Sequence, residues 1–556
     1  MKYVLLILLI ALLSCNHKTK YDTIIRNGLI YDGNGGTPYK ADIAINADTI
    51  AFIGQIKNAS AKNEINVDGK AVAPGFINMM GHSEESLFQD GRSQSDIRQG
   101  VTTEIFTESS FGPLNASMKE QFQKSEGDIK YDVTWNTLGE YMNTLEHKGI
   151  SCNIASFVGA GTVRRYVIGE DDKAPTQQQL DSMKILVDTA MREGALGLTC
   201  ALIYPPDNFA KTDELIALAK EASKYGGTYI SHIRSEGNQL IPAVDEIITI
   251  ARQANIPVEI CHLKAAGKNN WNKIDSVITI VEDARKKGVD ITADMYTYTA
   301  AATGLTSCFP PALQDGGFGK LRERLQNSAI RKQMITAMHT NANDWENLYY
   351  GSGGANNILL LSFKQDSLKK FTGKTLAQVA AIRGKSPEET AMDLIVQDST
   401  RVGVAYFLMD EDNIKKEIVL PWVSFGSDEA SYTNEGVFLK SNAHPRAYGN
   451  FARVIGKYSR DEKLMTLQQA IYKLSKLPAT HLKLQKRGEL KVGDYADVVI
   501  FDPATVQDHA TYEKPHQYST GVTDVFVNGI QVLKDNEHTG SMPGRFLKGS
   551  GYKKDL

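Results

Sequence analysis

The segment from Tyr229 to Gly267 constrains the fold of this chain more than any other. It holds two short apolar runs, in YISHIRSEG and VEICHLKAAG, and each closes on a histidine, His232 and His262. Between them, EGNQLIPAVDEIITIARQANIP carries Leu240, Ile241, Val244, Ile247, Ile248 and Ile250 at helical spacing. The order is strand, helix, strand. A parallel strand buried on both faces reads as a continuous apolar run, and a right-handed crossover brings both strand ends to the same side. Two imidazoles then stand at neighbouring carboxyl ends, where α/β folds place their chemistry. One such histidine alone reads as a satisfied polar residue. A matched pair points to metal, because neutral imidazole is the commonest metal ligand.

The rest of the chain repeats this alternation. AVAPGFINMMGH, VTTEIFTES, CNIASFVGAG and ALGLTCALIYPP give four strands before the histidine pair. TYISHIR and VEICHLK are the fifth and sixth, ITADMYTYT and WVSFGSD the seventh and eighth. Eight strands alternating with amphipathic stretches such as DELIALAKEASKYG predict an α/β fold, a (β/α)8 TIM barrel, over residues 71–484. The interval 309–420 exceeds one crossover and reads as a mostly helical insertion over the barrel mouth. Both chain ends have another character, short alternating strands broken by turns such as Asn27-Gly28. Residues 15–70 and 485–556 are therefore expected to build one small β-sandwich together.

The first 14 residues are set apart as a signal peptide. Lys2 precedes the apolar run YVLLILLIALLS, which is short for a membrane span and ends in LLSC. That ending resembles a bacterial lipobox, which implies a lipid anchor on Cys15 and a place in the bacterial cell envelope, facing the periplasm or at the outer membrane. A plain signal peptide with an incidental cysteine is the alternative. The formal net charge of −3 in 556 residues gives no nucleic-acid footprint. Cys152, Cys200, Cys261 and Cys308 show no CxxC spacing, so no metal knuckle or disulfide is assigned.

The strand ends supply the chemistry. The first ends at His82, followed by Glu84 and Glu85. The second offers Glu104 and Glu108, the seventh Asp294, Tyr296 and Tyr298, and Asp428 lies just past the eighth. Imidazole and carboxylate ligands suit Zn²⁺, and a catalytic zinc keeps one position open for water, whose pKa it lowers toward neutrality. A carboxylate beside that water, such as Asp428, can take its proton and pass it to a leaving amine. The bland reading of Asp428 is a turn residue.

These pieces, in order, resemble the amidohydrolase superfamily, in its D-aminoacylase (N-acyl-D-amino-acid deacylase) branch. APGFIN, DGRSQSDIRQGVTTEI, GTVRRYVIG, CHLKAAGKNNW, ADMYTYTA, GSDEA, HPRAYGNFARVIG and RGELKVGDYADVVIFDP carry the resemblance with the strands above, from about Tyr21 to Phe546. The resemblance implies zinc-dependent hydrolysis of an N-acyl bond in a small N-acyl amino acid or peptide-like substrate. It implies that His232 and His262 hold the tight metal and that Asp428 is the acid/base. Lys264 and Arg446 then contact the substrate carboxylate, while Tyr204 and Tyr296 line the pocket.

Departures from the family pattern are as informative. Met80-Gly81-His82 stands where His-x-His is usual, and Asn78 where Asp is usual. FTESSFGP lacks the cysteine many deacylases carry after the second strand, and Ala160 replaces a frequent histidine. Glu108 is the natural substitute ligand, with Thr107 one residue away. The expected site holds one zinc per chain on His232, His262 and Glu108, with His82, the remaining first-strand imidazole, as a further metal residue. Two other readings stay open: a dipeptidase or cyclic-amide hydrolase on the same barrel, and a catalytically inactive lipoprotein that binds acyl amino acids.

Overall fold

The computed structural model describes residues 19–554. The signal peptide and Cys15 lie outside the described residues. No described helix is long and apolar enough to cross a membrane.

Eight parallel strands form the barrel: β1 (Phe76–Gly81), β2 (Val101–Phe106), β3 (Asn153–Ser156), β4 (Gly197–Ala201), β5 (Thr228–His232), β6 (Val258–Ile260), β7 (Ile291–Met295) and β8 (Val423–Phe425). β1 to β3 pair in sequence, and so do β4 to β8. The two arcs meet where Leu196 donates to the Ser156 carbonyl, and where Asp428 donates to the Met80 carbonyl and His82 to that of Glu429. Ile77, Met79, Met80, Ile105, Phe157, Ile230 and Cys261 are buried together in the interior. The helix predicted between the histidine strands runs Leu240–Ala254. It buries Leu240, Val244, Ile247, Ile248 and Ala251 and ends on Asn255 in the left-handed region, an ordinary helix stop.

Two boundaries move. AVAPGFINMMGH is two strands, because Ala71–Pro74 leaves the barrel and pairs antiparallel with Val498–Phe501. That pairing sits within a nine-stranded sheet built from both ends of the chain. The insertion is also not purely helical. Gly403–Phe407 pairs antiparallel with Ala300–Gly304 on one side and with Ile358–Ser362 on the other, and this small sheet stands over its own apolar core. ILLLS and GVAYF are short apolar runs without helical period, and only tertiary pairing distinguishes them from core segments. Cys152, Cys200, Cys261 and Cys308 are buried and free.

Candidate metal centre and active site

His232 closes β5 and His262 lies two residues beyond β6, so their rings meet edge to face with centroids 4.4 Å apart. The Glu108 carboxylate projects from the turn after β2 into the space between them. Its Oε1 lies 3.0 Å from His232 Nδ1 and 2.9 Å from His262 Nε2. Thr107, the neighbouring alternative, is buried with a hydroxyl that meets no partner. The backbone pays for this convergence: Glu108 (φ 64°), His262 (φ 34°) and Asp428 (φ 50°) are all non-glycine residues in the left-handed region. Strain of this kind persists where surrounding bonds over-determine it. Here the Glu108 amide donates to Thr199 Oγ1, the His262 amide to Asp294 Oδ1 and the Asp428 amide to the Met80 carbonyl.

Asp428 stands at the barrel seam, where its amide donates to the Met80 carbonyl, and meets this group through His82. His82 Nε2 stands 3.1 Å from Asp428 Oδ1 and 3.8 Å from Glu108 Oε2, so His82 bridges the two carboxylates. Met80 is fully buried in the barrel interior. Burial would raise the Asp428 carboxyl, but Arg446 and the His82 hydrogen bond more than offset it and hold it below its ordinary value. Burial likewise opposes charge on Glu108, yet His232 and His262 hold it well below the usual carboxylate range.

Lys264 and Arg446 flank the Tyr296 ring, at 5.5 Å and 4.3 Å from its centroid. Each already faces a protein carboxylate. Arg446 Nη1 is 2.7 Å from Asp428 Oδ2, close as an ion pair but misaligned as a hydrogen bond, and its Nε has no acceptor. Buried donors rarely stay unmatched, so these suit an incoming carboxylate. Tyr204 meets the other imidazole edge to face, its ring centroid 5.4 Å from that of His232.

Lys264 pairs with a residue that the sequence did not single out. Glu236, buried four positions after His232, accepts from Lys264 Nζ at 2.5 Å and lies 2.9 Å from His262 Nδ1. Its Oε2 is 3.7 Å from His232 Nε2, a buried nitrogen that makes no hydrogen bond. The signal available was an acidic residue closely following a ligand-type histidine.

The residues fit a divalent metal. One oxygen and two imidazole nitrogens, from Glu108, His232 and His262, lie within 4.8 Å of one another. Three such donors with a fourth side open are the ligand set of a catalytic zinc. The electrostatics agree. Burial and Lys264 oppose charge on His262, but Glu236 and Glu108 carry it up to about 10. The two carboxylates thus demand positive charge, which a bound cation supplies in place of protons. Glu236, on the nitrogen away from that cation, is placed as the outer carboxylate that metal-binding histidines use for orientation. The Glu236→Gln protein is expected to bind zinc about 10- to 100-fold more weakly, measured by competition with a chromophoric chelator.

Residues 63–533 match the family model described as "Amidohydrolase family". The D-aminoacylase of Alcaligenes xylosoxydans xylosoxydans is 30% identical over 532 residues, covering 95% of this chain and 97% of that protein. An N-acyl-D-glutamate deacylase of the same organism is 29% identical over 529 residues, covering 95% and 97%. The solved N-acyl-D-glutamate deacylase from Bordetella bronchiseptica, complexed with zinc and a phosphonate mimic of the tetrahedral intermediate, superposes with a TM-score of 0.79. It is 28% identical, covering 95% of this chain and 100% of that one.

Proposed function

Because this chain belongs to the amidohydrolase family, in its D-aminoacylase-like branch, we propose that it hydrolyses the N-acyl amide bond of N-acyl-D-amino acids with one zinc ion. The observation that carries this reading is the convergence of Glu108, His232 and His262 on one point with Asp428 across from it. Glu108, His232 and His262 would hold the ion. A bound zinc polarises a carbonyl oxygen and lowers the pKa of water toward neutrality.

The side chains divide the remaining work. Lys264 and Arg446, either side of Tyr296, receive the substrate α-carboxylate, and the Tyr296 ring fixes the distance between them. Asp428, held ionised by Arg446 and His82, accepts a proton from the attacking water and returns it to the departing nitrogen. A second metal is disfavoured by composition. The other cluster, His82, Glu108 and Asp428, has one imidazole, and Met80 offers a thioether buried in the core where the family pattern has histidine. Zinc analysis of the purified protein together with hydrolysis of matched N-acetyl-D- and N-acetyl-L-amino acids tests the reading. Zinc near one per chain with hydrolysis of the D series is expected. An inert protein, or one active only on dipeptides or cyclic amides, would overturn it.

We also propose that the chain is anchored through a lipid on Cys15, supported by the LLSC ending of its apolar leader. The wild-type protein is expected to remain on membranes through high-salt washing, and Cys15→Ala to be released or left unprocessed, as read by fractionation. Release of wild-type protein by salt alone counts against the anchor.

A further inference from the structure

The loop that follows β5 carries Glu236, and two charged side chains hold its backbone. Lys273, just before the helix Ile274–Lys286, donates from Nζ to the carbonyls of Gly237 at 3.1 Å and Asn238 at 2.9 Å. Glu346 comes from the insertion, between the helices Ser328–Met338 and Leu348–Gly351. Its Oε2 accepts from Ser235 Oγ at 2.7 Å and from the Glu236 amide at 3.2 Å. The Ser235 hydroxyl in turn accepts from the amides of Gly237 at 3.2 Å and Gln239 at 3.1 Å. An ammonium thus takes the carbonyls of this loop, and a carboxylate takes its N–H and O–H donors.

The contact is built on both partners. A Cβ at Gly237 would come within 2.3 Å of Glu346 Oε1, so only glycine lets the carboxylate approach this closely. The segment that bears Glu346 is itself pinned. Asn347 Nδ2 donates to the carbonyls of Ala337 at 3.0 Å and Thr340 at 2.9 Å, and Asn238 Nδ2 crosses from the loop to the Ala342 carbonyl at 2.7 Å.

Glu346 touches none of the reacting groups; its reach is through Glu236. One oxygen of Glu236 serves both Lys264 Nζ and His262 Nδ1. A shift of the Glu236 backbone therefore moves a proposed substrate-binding cation and a proposed metal ligand together. Misplacement by about 1 Å can cost on the order of 10²-fold in rate. The bland reading is a tie that only fastens the insertion to the barrel. Resting on the deacylase reading above, we propose that Glu346 is a positioning residue, through which the insertion fixes the Glu236 loop and so sets Lys264 for the substrate carboxylate and the His262 ring for the ion.

The test takes the full chain as wild type, Glu346→Ala, Glu346→Gln, Gly237→Ala and the Glu346→Ala/Gly237→Ala double variant. It reads KM and kcat on the best of a panel of N-acetyl-D-amino acids, zinc affinity by competition with a chromophoric chelator, and Tm. Glu346→Ala is expected to raise KM and to weaken zinc binding, each about 10-fold, the lower end of the range for outer partners of metal-binding histidines, with a smaller change in kcat. Glu346→Gln keeps an oxygen that can accept both bonds and should stay near wild type. Gly237→Ala is open to the backbone, which lies outside the left-handed region there, and the atoms its Cβ meets all belong to side chains. It should push the Glu346 carboxylate aside and follow Glu346→Ala, and the double variant should be little worse than either, because one contact is lost in all three. Should Glu346→Ala fail to fold, Gly237→Ala against wild type carries the comparison. A lowered Tm with wild-type KM and zinc affinity in the folded variants is the result of a mere tie, and overturns the proposal while leaving the deacylase reading intact. Wild-type protein inert on the whole panel overturns the deacylase reading, and zinc affinity across the same variants then decides the positioning role alone.

Discussion

His232→Ala and His262→Ala proteins are expected to retain almost no zinc and to lose hydrolysis of N-acetyl-D-amino acids. Each substitution removes one of only three protein donors at the candidate centre, and two ligands do not hold the ion against water. Activity alone would not separate loss of metal from loss of fold, so the decisive readout is thermal. A ligand that binds only the native state stabilises it by about 2.7 kcal/mol when present at 100 times its Kd. Zinc should raise the wild-type Tm and leave both variants unmoved. The variants should differ from each other in a second respect. His262 Nδ1 shares Glu236 Oε1 with Lys264 and stands 2.7 Å from Lys264 Nζ itself, so His262→Ala also loosens the cation proposed to bind substrate, whereas His232 reaches Glu236 only at 3.7 Å and through its other oxygen, so that His232→Ala should disturb Lys264 less. Full zinc occupancy in both variants would remove this metal centre altogether.

The same histidines show how far sequence reading reaches here. His232 and His262 were legible because one closes a strand and the other follows a strand end by two residues, and strand ends converge in a parallel barrel whatever the loops do. Asp428 was legible for the same reason. Glu108 was one residue from ambiguous: it sits past β2 in a left-handed turn (φ 64°), where the two-residue alternation that orients strand side chains no longer holds. Glu236 offered only the weak signal of an acid soon after a histidine, because it lies in an irregular loop, and a buried carboxylate serving two histidines and a lysine is a fact of three-dimensional packing. Arg401, whose guanidinium lies 4.6 Å over the Tyr204 ring, was further out of reach. It is brought to Tyr204 by antiparallel pairing across about 100 residues of insertion, between Gly304 and Gly403. The insertion's strands read in sequence as unremarkable apolar runs, so nothing local announces their pairing.

Arg446 is a subtler case. As a cation for the substrate carboxylate its position suits the task, but the structure adds that Nη1 also stands 2.7 Å from Asp428 Oδ2. One guanidinium therefore touches both the proposed binding pole and the proposed acid/base. Arg446→Ala is then expected to lower kcat as well as raise KM, which departs from a purely binding role. Lys264 has no such contact with Asp428, and its replacement should act mainly on KM.

Asp428→Asn isolates the proton transfer itself. The amide keeps the shape of the carboxylate and can still accept from the Arg446 side chain, whose Nη2 in any case donates to the Asp428 backbone carbonyl. It cannot take a proton from water at any pH near neutrality. General acid–base groups contribute roughly 10²–10⁴-fold, and this one is asked to act twice, on the water and on the leaving nitrogen, so a loss in kcat of at least that order is expected. The zinc content should stay near wild type, because Glu108, His232 and His262 are unchanged and converge without help from Asp428. KM should move less than kcat, since the interaction removed is made chiefly in the transition state. Steady-state kinetics on the best N-acyl-D-amino acid, with metal analysis of the same preparation, gives all three quantities. Near-normal kcat would shift the acid/base role to another group. Glu84, with its carboxyl raised to about 7 mainly by burial, would then be the residue to replace next. Asp294 is a poorer candidate, because one of its oxygens is already committed to the His262 amide.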